Sequence, residues 1–516
     1  MKKDSRNGEL LGAHLRRVLN AKVYDVASET PLEKAEALSA RTGCDIWLKR
    51  EDLQPVHSFK LRGAYNKMSR LPREVLARGV LAASAGNHAQ GVALAARKLG
   101  CKATIVMPVT TPEIKVAAVR ALGAEIVQAG DSYSDCAVEA ARLERESGLC
   151  FIPPYDDLDV IAGQGTLALE ILRQRTDPVD AVFVQVGGGG LAAGVAALVK
   201  AVRPEIKVFG VEPEDSDCMR RSIEAGRRVE MADVGLFADG VAVKKPGRIT
   251  FDFCRRFLDG IVLVSTDETC AAIKDGFEAT RAVFEPAGAL AVAAAKKYAA
   301  RKGRRGRETY VCIVSGANMN FDRIRFVSEQ TEIGEGREAV FDCEIPERPG
   351  AFKSFIAAIG GRNITEFNYR RSSADRAHVF VGMAVRDRAE ASAAAAALRK
   401  KGIPSIDLSD DKVAKEHIRF MVGGCAGDIR GERVFAFRFP ERPGALRDFL
   451  DHIAGRWDIT LFHYRSHGSD QGRVLCGFSV PEKDRKAFDS VLSEIGYLRR
   501  EVTEDPAYRH FLGGKA

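Results

Sequence analysis

The chain runs to 516 residues, 46% of them hydrophobic and 29% charged. That is a globular composition, which excludes collagen, extended disorder and a continuous coiled coil, and the length suits about three domains with cores of their own. Lysine and arginine number 78 against 70 aspartates and glutamates, a formal net charge of +8, but the excess is scattered and leaves no nucleic-acid footprint.

In chain order, the opening segment MKKDSRNGELLGAHLRR lacks the apolar stretch of a secretory signal and carries acids that a transit peptide avoids. No later stretch approaches ~18 uncharged apolar residues, so no membrane span is expected, and the chain reads as cytoplasmic. Its eleven cysteines stand singly, without CxxC or Cys/His clusters, as reduced thiols buried among apolar side chains do. From about residue 20 to 325, short apolar runs alternate with helical patterns. Residues 80–83, 103–107, 180–186, 206–211, 261–264 and 310–314 read as strands, with helices such as 88–99, 135–146 and 191–202 between them. Strands that are apolar nearly throughout suit a parallel sheet buried on both faces. The alternation predicts a doubly wound α/β fold with ligands at the carboxyl ends of the strands.

Four motifs within this region carry chemistry. In His57-Ser-Phe-Lys-Leu-Arg-Gly63, Phe59 and Leu61 flank Lys60, and Arg62 follows. Lysines are usually solvated, but an amine nucleophile needs an apolar or cationic neighbourhood to lower its pKa, and Gly63 permits close backbone approach. Ser84-Ala-Gly-Asn-His-Ala-Gln-Gly91 follows the strand at 80–83, where N–H groups at a helix N-terminus can take an anion. An ordinary capped loop reads the same way, and His88 reads as a helix-start residue. Gly187-Gly-Gly-Gly-Leu-Ala-Ala-Gly194 joins a strand to a small-residue helix, so its backbone can wrap a phosphate. With Gly187, Gly189 and Ala192 in place and Glu212 20 residues further on, it also satisfies the dinucleotide fingerprint, which keeps a Rossmann-type dehydrogenase open. Ser315-Gly-Ala-Asn318 brings a hydroxyl to the same sheet edge.

Lys60 in SFKLRG, Asn87 in SAGNHAQG, the GGGGL loop and Ser315 in SGAN resemble, in order and spacing, the pyridoxal-phosphate enzymes of the tryptophan-synthase-β type, and within them the serine/threonine dehydratases. KREDLQPVHSFKLRGAYNK, ASAGNHAQGVALAA, VIAGQGTLALE and VGLFADGVAVK are similar to the biosynthetic threonine dehydratases (threonine ammonia-lyases) of that family. A dehydrogenase leaves Lys60, the Asn87 loop and the tail unexplained.

The resemblance implies a fold-type II catalytic part of two doubly wound α/β lobes, holding pyridoxal 5'-phosphate. By it, Lys60 would carry the cofactor and act as general base, Phe59 would lie against the cofactor ring, and Asn87 would hydrogen-bond the ring hydroxyl. Gly187, Gly188, Gly189, Gly190 and Leu191 would offer N–H groups to the phosphate, and Ser315 would face the pyridine nitrogen. Ser84, Ala85, Gly86, Asn87 and His88 would hold the substrate carboxylate. A hydroxyl cannot keep the nitrogen protonated as a carboxylate does, so the ring is a weaker electron sink, suited to elimination. L-Threonine would give 2-oxobutanoate and ammonia, the first step of isoleucine biosynthesis. Serine dehydration or racemisation by related enzymes would use the same motifs. The acidic segment Glu212-Pro-Glu-Asp-Ser-Asp217 departs from the spacing of the cation-binding relatives. It reads as a solvated loop, and no metal is expected.

Beyond about residue 335 an internal repeat appears. Ile345-Pro-Glu-Arg-Pro-Gly-Ala-Phe352 returns as Phe439-Pro-Glu-Arg-Pro-Gly-Ala-Leu446, displaced by 94, and Ile364-Thr-Glu-Phe-Asn-Tyr-Arg370 as Ile459-Thr-Leu-Phe-His-Tyr-Arg465, displaced by 95. Two ordered matches at nearly equal spacing indicate a duplicated domain. Each copy reads as strand, Pro-Gly turn, amphipathic helix, strand and a third strand near 379–385 or 474–480, and lacks any nucleophile or acid/base cluster. The expected boundaries are a catalytic domain at 1–333, ACT-like domains at 338–410 and 433–505, and a linker at 411–432. The family resemblance implies that the pair senses isoleucine as feedback inhibitor, with valine as a possible antagonist, in a homotetramer. Tyr369 and Tyr464, at equivalent places in the two copies, are the candidate effector contacts.

Overall fold

The computed structural model describes residues 2–302, 307–334, 338–346, 355, 358–359, 364–371, 376–411, 413–414, 417–418, 431–440, 449, 452–453, 456–465 and 471–512. The chain divides into two units, Met1–Val327 and Ser328–Ala516. In the first, strands β1 (Leu32–Lys34), β2 (Asp45–Arg50), β3 (Val80–Ala83), β4 (Ala103–Met107), β5 (Glu125–Gln128), β6 (Cys150–Phe151), β7 (Ala181–Gln185), β8 (Lys207–Pro213), β9 (Gly260–Val264) and β10 (Thr309–Val314) form two sheets. The larger runs β1-β2-β10-β7-β8-β9, parallel except at its β1 edge; the smaller, β5-β4-β3-β6, is parallel throughout. The expected α/β architecture is therefore present as two lobes. Central strands β3, β4, β7 and β10 are buried along their whole length, as their apolar runs require.

Strand β2 escapes a reading by hydrophobicity because its sequence, DIWLKR, ends in two cations. Both are buried, and both are paired: Lys49 Nζ lies 2.6 Å from Glu170, while Arg50 meets Asp52 at 2.8 Å and Glu33 at 2.6 Å. Buried charges persist only when paired in this way.

Close helix crossings tie the strand-end loops together. A Cβ on Gly63, in helix Lys60–Met68, would stand 2.4 Å from Gln164 Nε2; one on Gly163, in helix Leu158–Gln174, 2.7 Å from the Arg62 carbonyl. One on Gly194, in helix Gly190–Val202, would stand 2.4 Å from the Ile161 carbonyl. Glycine is what lets these backbones approach, so VIAGQGTLALE is a packing signature that links the lysine's helix to the glycine loop's helix.

The second unit repeats one design. Strands β11 (Glu338–Pro346), β12 (Ile364–Arg371), β13 (Arg376–Ala384) and β14 (Ser405–Asp407) form an antiparallel sheet in the order β12-β13-β11-β14. Strands β15 (Glu432–Pro440), β16 (Asp458–Arg465), β17 (Gln471–Ser479) and β18 (Leu498–Glu501) form another as β16-β17-β15-β18. Even the irregularity is duplicated: the register shifts between Ile364 and Glu366 in one copy and between Ile459 and Leu461 in the other. Each copy also has more than the three strands and one helix read from sequence: helix Arg388–Lys400 and β14, or helix Arg485–Ile495 and β18, complete it. The Pro-Gly turns and most of the linker lie outside the described residues. The ten cysteines among the described residues are all free, eight of them buried.

Candidate active site

Three loops meet at the carboxyl edges of the sheets. Strand β3 ends one residue before Ser84, β7 two before Gly187, and β10 one before Ser315. The Lys60 motif is attached to the last of these: the Phe59 N–H donates to the Ser315 carbonyl at 3.1 Å, and Ser58 bridges Gly316 in antiparallel fashion. Lys60 and Ser315, 255 positions apart in the chain, are thereby brought together.

Lys60 begins its helix, and its Nζ donates to the Pro154 carbonyl at 3.0 Å and lies 5.5 Å from the centre of the Phe59 ring. Burial lowers its amine to about 8, against the opposing pull of Glu285, so a neutral, nucleophilic amine is accessible near physiological pH. The cationic help expected from Arg62 is absent. That guanidinium is buried and wholly engaged, by Glu51 at 2.7 and 2.8 Å, Glu170 at 2.5 and 3.0 Å, Thr166 at 3.1 Å and the Ser28 carbonyl at 3.2 Å. With its charge balanced by two carboxylates, Arg62 anchors the helix instead of tuning the amine. Lys60's field is felt by His88, whose imidazole is held to about 3 by burial and then by that cation. Its Nε2 donates to the Ile152 carbonyl at 2.8 Å, which makes it a neutral core histidine whose side chain is committed.

The glycine loop caps helix Gly190–Val202, with Gly189 at φ +94° as its N-cap. Cβ atoms on Gly187, Gly188, Gly189 and Gly190 would stand 2.8 Å from Val241, 2.2 Å from Tyr155, 2.6 Å from Met219 and 2.9 Å from Tyr155 respectively. Thr250 Oγ1 donates to the Gly188 carbonyl at 2.6 Å. Leu191, the first apolar residue of the helix, is buried. The loop's shape is thus fixed by the chain around it, and the first turn of the helix keeps N–H groups that have no intrahelical acceptor.

A segment outside the four motifs, 154–157, organises these parts. Pro154 receives Lys60, and Tyr155 packs on Gly188 and Gly190. Asp156 accepts from the N–H groups of Arg248, Ile249 and Thr250 at 2.8, 2.8 and 3.2 Å, and Asp157 caps helix Leu158–Gln174. Sequence offers only a helix-start signal here, an aspartate ahead of an apolar periodic run.

In the Asn87 loop, Ser84, Ala85, Gly86 and Asn87 are half-buried. Ser84 Oγ accepts from the Gly86 N–H at 3.2 Å. Asn87 Nδ2 donates to Glu285 at 2.7 Å, and its Oδ1 accepts from Asn318 Nδ2 at 2.7 Å. Glu285, which sequence reading missed, is buried, and its carboxyl is pushed up to about 7 by burial and by Asp239.

Two sequence expectations are corrected. The segment 212–217 is a solvated loop only in part: Glu214 and Asp215 are exposed, but Glu212, Ser216 and Asp217 are buried. Nor is Glu212 placed to bind ribose, for its carboxyl accepts from the N–H groups of Met219 and Arg220, both at 2.8 Å, at the start of helix Cys218–Ala225. Among the described residues no cluster of three or more metal-binding side chains occurs, and no helix is long and apolar enough to cross a membrane. In the second unit, Tyr369 and Tyr464 stand in register opposite Val379 and Val474, equivalent positions of the two sheets.

The donor set fits pyridoxal phosphate: a buried amine of lowered pKa, a glycine-built helix N-terminus suited to a phosphate, an amide at a helix start and a hydroxyl at a strand end. Residues 23–316 match the family described as pyridoxal-phosphate dependent enzymes, and residues 329–418 and 423–512 each match the C-terminal regulatory domain of threonine dehydratase. Among curated proteins, the biosynthetic L-threonine dehydratase of Burkholderia multivorans is 57% identical, with 97% of this chain and 99% of that protein aligned. Its Escherichia coli counterpart is 51% identical over 97% of each. Among solved structures, the processed threonine deaminase isoform 2 of Solanum lycopersicum aligns with TM-score 0.61 and 50% identity over 62% of this chain and 88% of that one. Maize serine racemase aligns with TM-score 0.58 and 30% identity over 61% and 96%. From the glycine loop to the duplicated tail, the chain belongs to the biosynthetic threonine dehydratases, pyridoxal-phosphate enzymes of fold type II with C-terminal regulatory domains.

Proposed function

We propose that the protein converts L-threonine to 2-oxobutanoate and ammonia by β-elimination, the entry step to isoleucine biosynthesis. The observation that carries this reading is the buried Lys60 amine, brought near neutrality and held between Phe59 and Pro154, directly beside the strand end that bears Ser315. Bound pyridoxal phosphate supplies the electron sink that makes the substrate's α-proton acidic. The chain's own groups do the rest. Lys60 anchors the cofactor, and its Nζ takes the α-proton as general base. The N–H groups of Gly187, Gly188, Gly189, Gly190 and Leu191 bind the phosphate, Phe59 backs the ring, Asn87 meets the ring hydroxyl, and Ser315 faces the ring nitrogen. Ser84, Ala85, Gly86 and Asn87 hold the substrate carboxylate, joined by His88 through its main-chain amide, since its imidazole is committed to Ile152. Serine dehydration and racemisation share these groups, and the likeness to a serine racemase covers 61% of this chain; the paired regulatory matches favour the threonine enzyme.

The domain boundaries proposed are 1–333, 338–410, 411–432 and 433–505. The tail would bind isoleucine as inhibitor through Tyr369 and Tyr464, with valine as antagonist, in a cytoplasmic homotetramer. An effector acts only by binding better to a less active state of the assembly.

The test is Lys60→Ala in the full chain. It should lower turnover of L-threonine on the order of 10³-fold or more and remove the borohydride-sensitive visible absorbance, with the fold intact by circular dichroism. Near wild-type turnover would refute Lys60 as the base. For the tail, ending the chain after about Glu335 should leave turnover insensitive to isoleucine, and inhibition that survived would move the effector site into the catalytic part.

A further inference from the structure

Around Asn87 the hydrogen bonds close into a ring. Asn87 Nδ2 donates to Glu285 Oε1 at 2.7 Å, Asn318 Nδ2 donates to Asn87 Oδ1 at 2.7 Å, and the Asn318 N–H donates to Glu285 Oε2 at 3.1 Å. The second Asn318 Nδ2 hydrogen goes to the Val56 carbonyl at 2.8 Å, which fixes that amide in turn. Asn87 comes from the lobe built on β3, whereas Glu285 and Asn318 come from the lobe built on β10. Glu285 is also held at its main chain, its N–H donating to the Gly316 carbonyl at 3.1 Å, next to Ser315.

An ionised carboxylate can only accept hydrogen bonds, whereas a primary amide has one accepting and one donating end. Glu285 therefore dictates which way Asn87 faces: nitrogen toward the carboxylate, oxygen toward Asn318, with one N–H left over. A protonated Glu285 could also donate, and would relax its half of that constraint, leaving Asn318 Nδ2 to hold the amide oxygen. We propose that Glu285 is a positioning residue for the cofactor, acting through Asn87, whose amide it holds in the one orientation that offers an N–H to the ring hydroxyl. The inference rests on the pyridoxal-phosphate reading of Asn87 given above.

The charges around Glu285 make its proton state consequential. Lys60 attracts its negative form from helix Lys60–Met68, and Asp239 opposes it from the turn Asp239–Val241. Lys115, on helix Glu113–Ala121, favours the charged form and bonds Asp239 at 2.8 Å, while Arg323, on helix Asp322–Gly334, reaches Asp239 at 3.3 Å. With the carboxyl pushed up to about 7, the carboxylate's share of the hold on Asn87 weakens as pH falls through that value, while Asn318 Nδ2 still donates to Asn87 Oδ1.

The experiment is a double-mutant cycle on the full chain, using pyridoxal phosphate as the ligand. Dissociation constants and the pH titration of the bound cofactor's visible band are measured for wild type, Glu285→Gln, Asn87→Ala and the double variant. Asn87→Ala is expected to weaken binding about tenfold and Glu285→Gln about threefold to tenfold, with the double variant within twofold of Asn87→Ala alone. The band's titration midpoint should move in Glu285→Gln, yet not respond to that change once Asn87 is alanine. Effects that multiply, or wild-type binding and titration in Glu285→Gln, overturn the inference. If Glu285→Gln does not fold, Asn318→Ala replaces it, because it leaves the buried carboxylate in place while opening the ring, and the same two outcomes decide. Failure of the wild-type chain to bind pyridoxal phosphate would instead overturn the underlying reading, whereas an intact visible band with multiplying effects overturns only the role of Glu285.

Discussion

Gly86 and Gly188 occupy comparable turns, each after a parallel strand and just before a helix, yet their surroundings differ completely. A Cβ on Gly86 would meet no described atom within 4 Å, while one on Gly188 would stand 2.2 Å from the Tyr155 ring. In the first loop glycine leaves the space beside the main chain open, so that a small carboxylate has room to approach. In the second, glycine lets the chain clasp its own backbone from Tyr155, Val241 and Thr250, so that the loop's shape exists before any ligand arrives. Such preorganisation spares the binding event the cost of ordering a loop. Two stretches of sequence that look alike thus differ in kind, one with open space beside its glycine and the other a rigid mould.

The largest break in that comparison should come from Gly188→Ala. The added methyl has no room against the half-buried Tyr155 ring, and overpacking of this kind costs about 1–3 kcal/mol. Both readouts should therefore suffer: a lower unfolding midpoint in urea, and cofactor affinity reduced at least tenfold. A variant that unfolds and binds like wild type would mean that Tyr155 yields freely and the mould is not rigid.

Gly86→Ala sharpens the other side. With open space around the methyl, the thermal midpoint should stay within about 2 °C of wild type, since only a fraction of a kcal/mol is at stake. The KM for L-threonine should still rise about fivefold to tenfold, because the methyl intrudes where the carboxylate approaches, and tenfold is ~1.4 kcal/mol. Unchanged KM would remove this loop from substrate binding.

How much of this was legible beforehand depended on whether a residue's neighbours were local. Strands at 80–83 and 103–107 coincide with β3 and β4, because an apolar run flanked by helices has few other fates. Asn87 and the glycines stood at strand-to-helix junctions, Ser315 at a strand end and Lys60 at a helix start, positions that the sequence marks directly. Strand β2 was hidden because its cations are neutralised by Glu170, Asp52 and Glu33, partners that only the fold supplies. Glu285 was hidden for a related reason. An acid directly before a proline at a helix start reads as a solvated dipole partner, and only Asn87 and Asn318, from distant parts of the chain, show that it turns inward. The segment 154–157 acts through a carbonyl, a ring and two helix caps, none of which has a chemical signature. In the tail, the repeat was visible in two motifs, while β14 and β18 are short and largely polar, so neither announces a strand.

The smallest effect is expected at Glu212, which supports the mould from behind. Its carboxyl holds the first N–H groups of helix Cys218–Ala225, and that helix carries Met219, the side chain lying 2.6 Å from where a Gly189 Cβ would be. Burial pushes the Glu212 carboxyl up to about 8, against the pull of those two amides. A folded-state pKa raised above the unfolded value means that the group's contribution to stability is full below about 4.5 and is lost as pH climbs through about 8. Glutamine can accept from the same amides but cannot ionise. Glu212→Gln should therefore bind pyridoxal phosphate within twofold of wild type, and its stability should fall less than that of wild type between pH 5 and pH 8.5, measured by urea unfolding. Parallel pH profiles would show that the amides keep Glu212 ionised throughout. Cofactor affinity that collapsed in the variant would mean that the wall behind Gly189 depends on charge at Glu212 and not only on its hydrogen bonds.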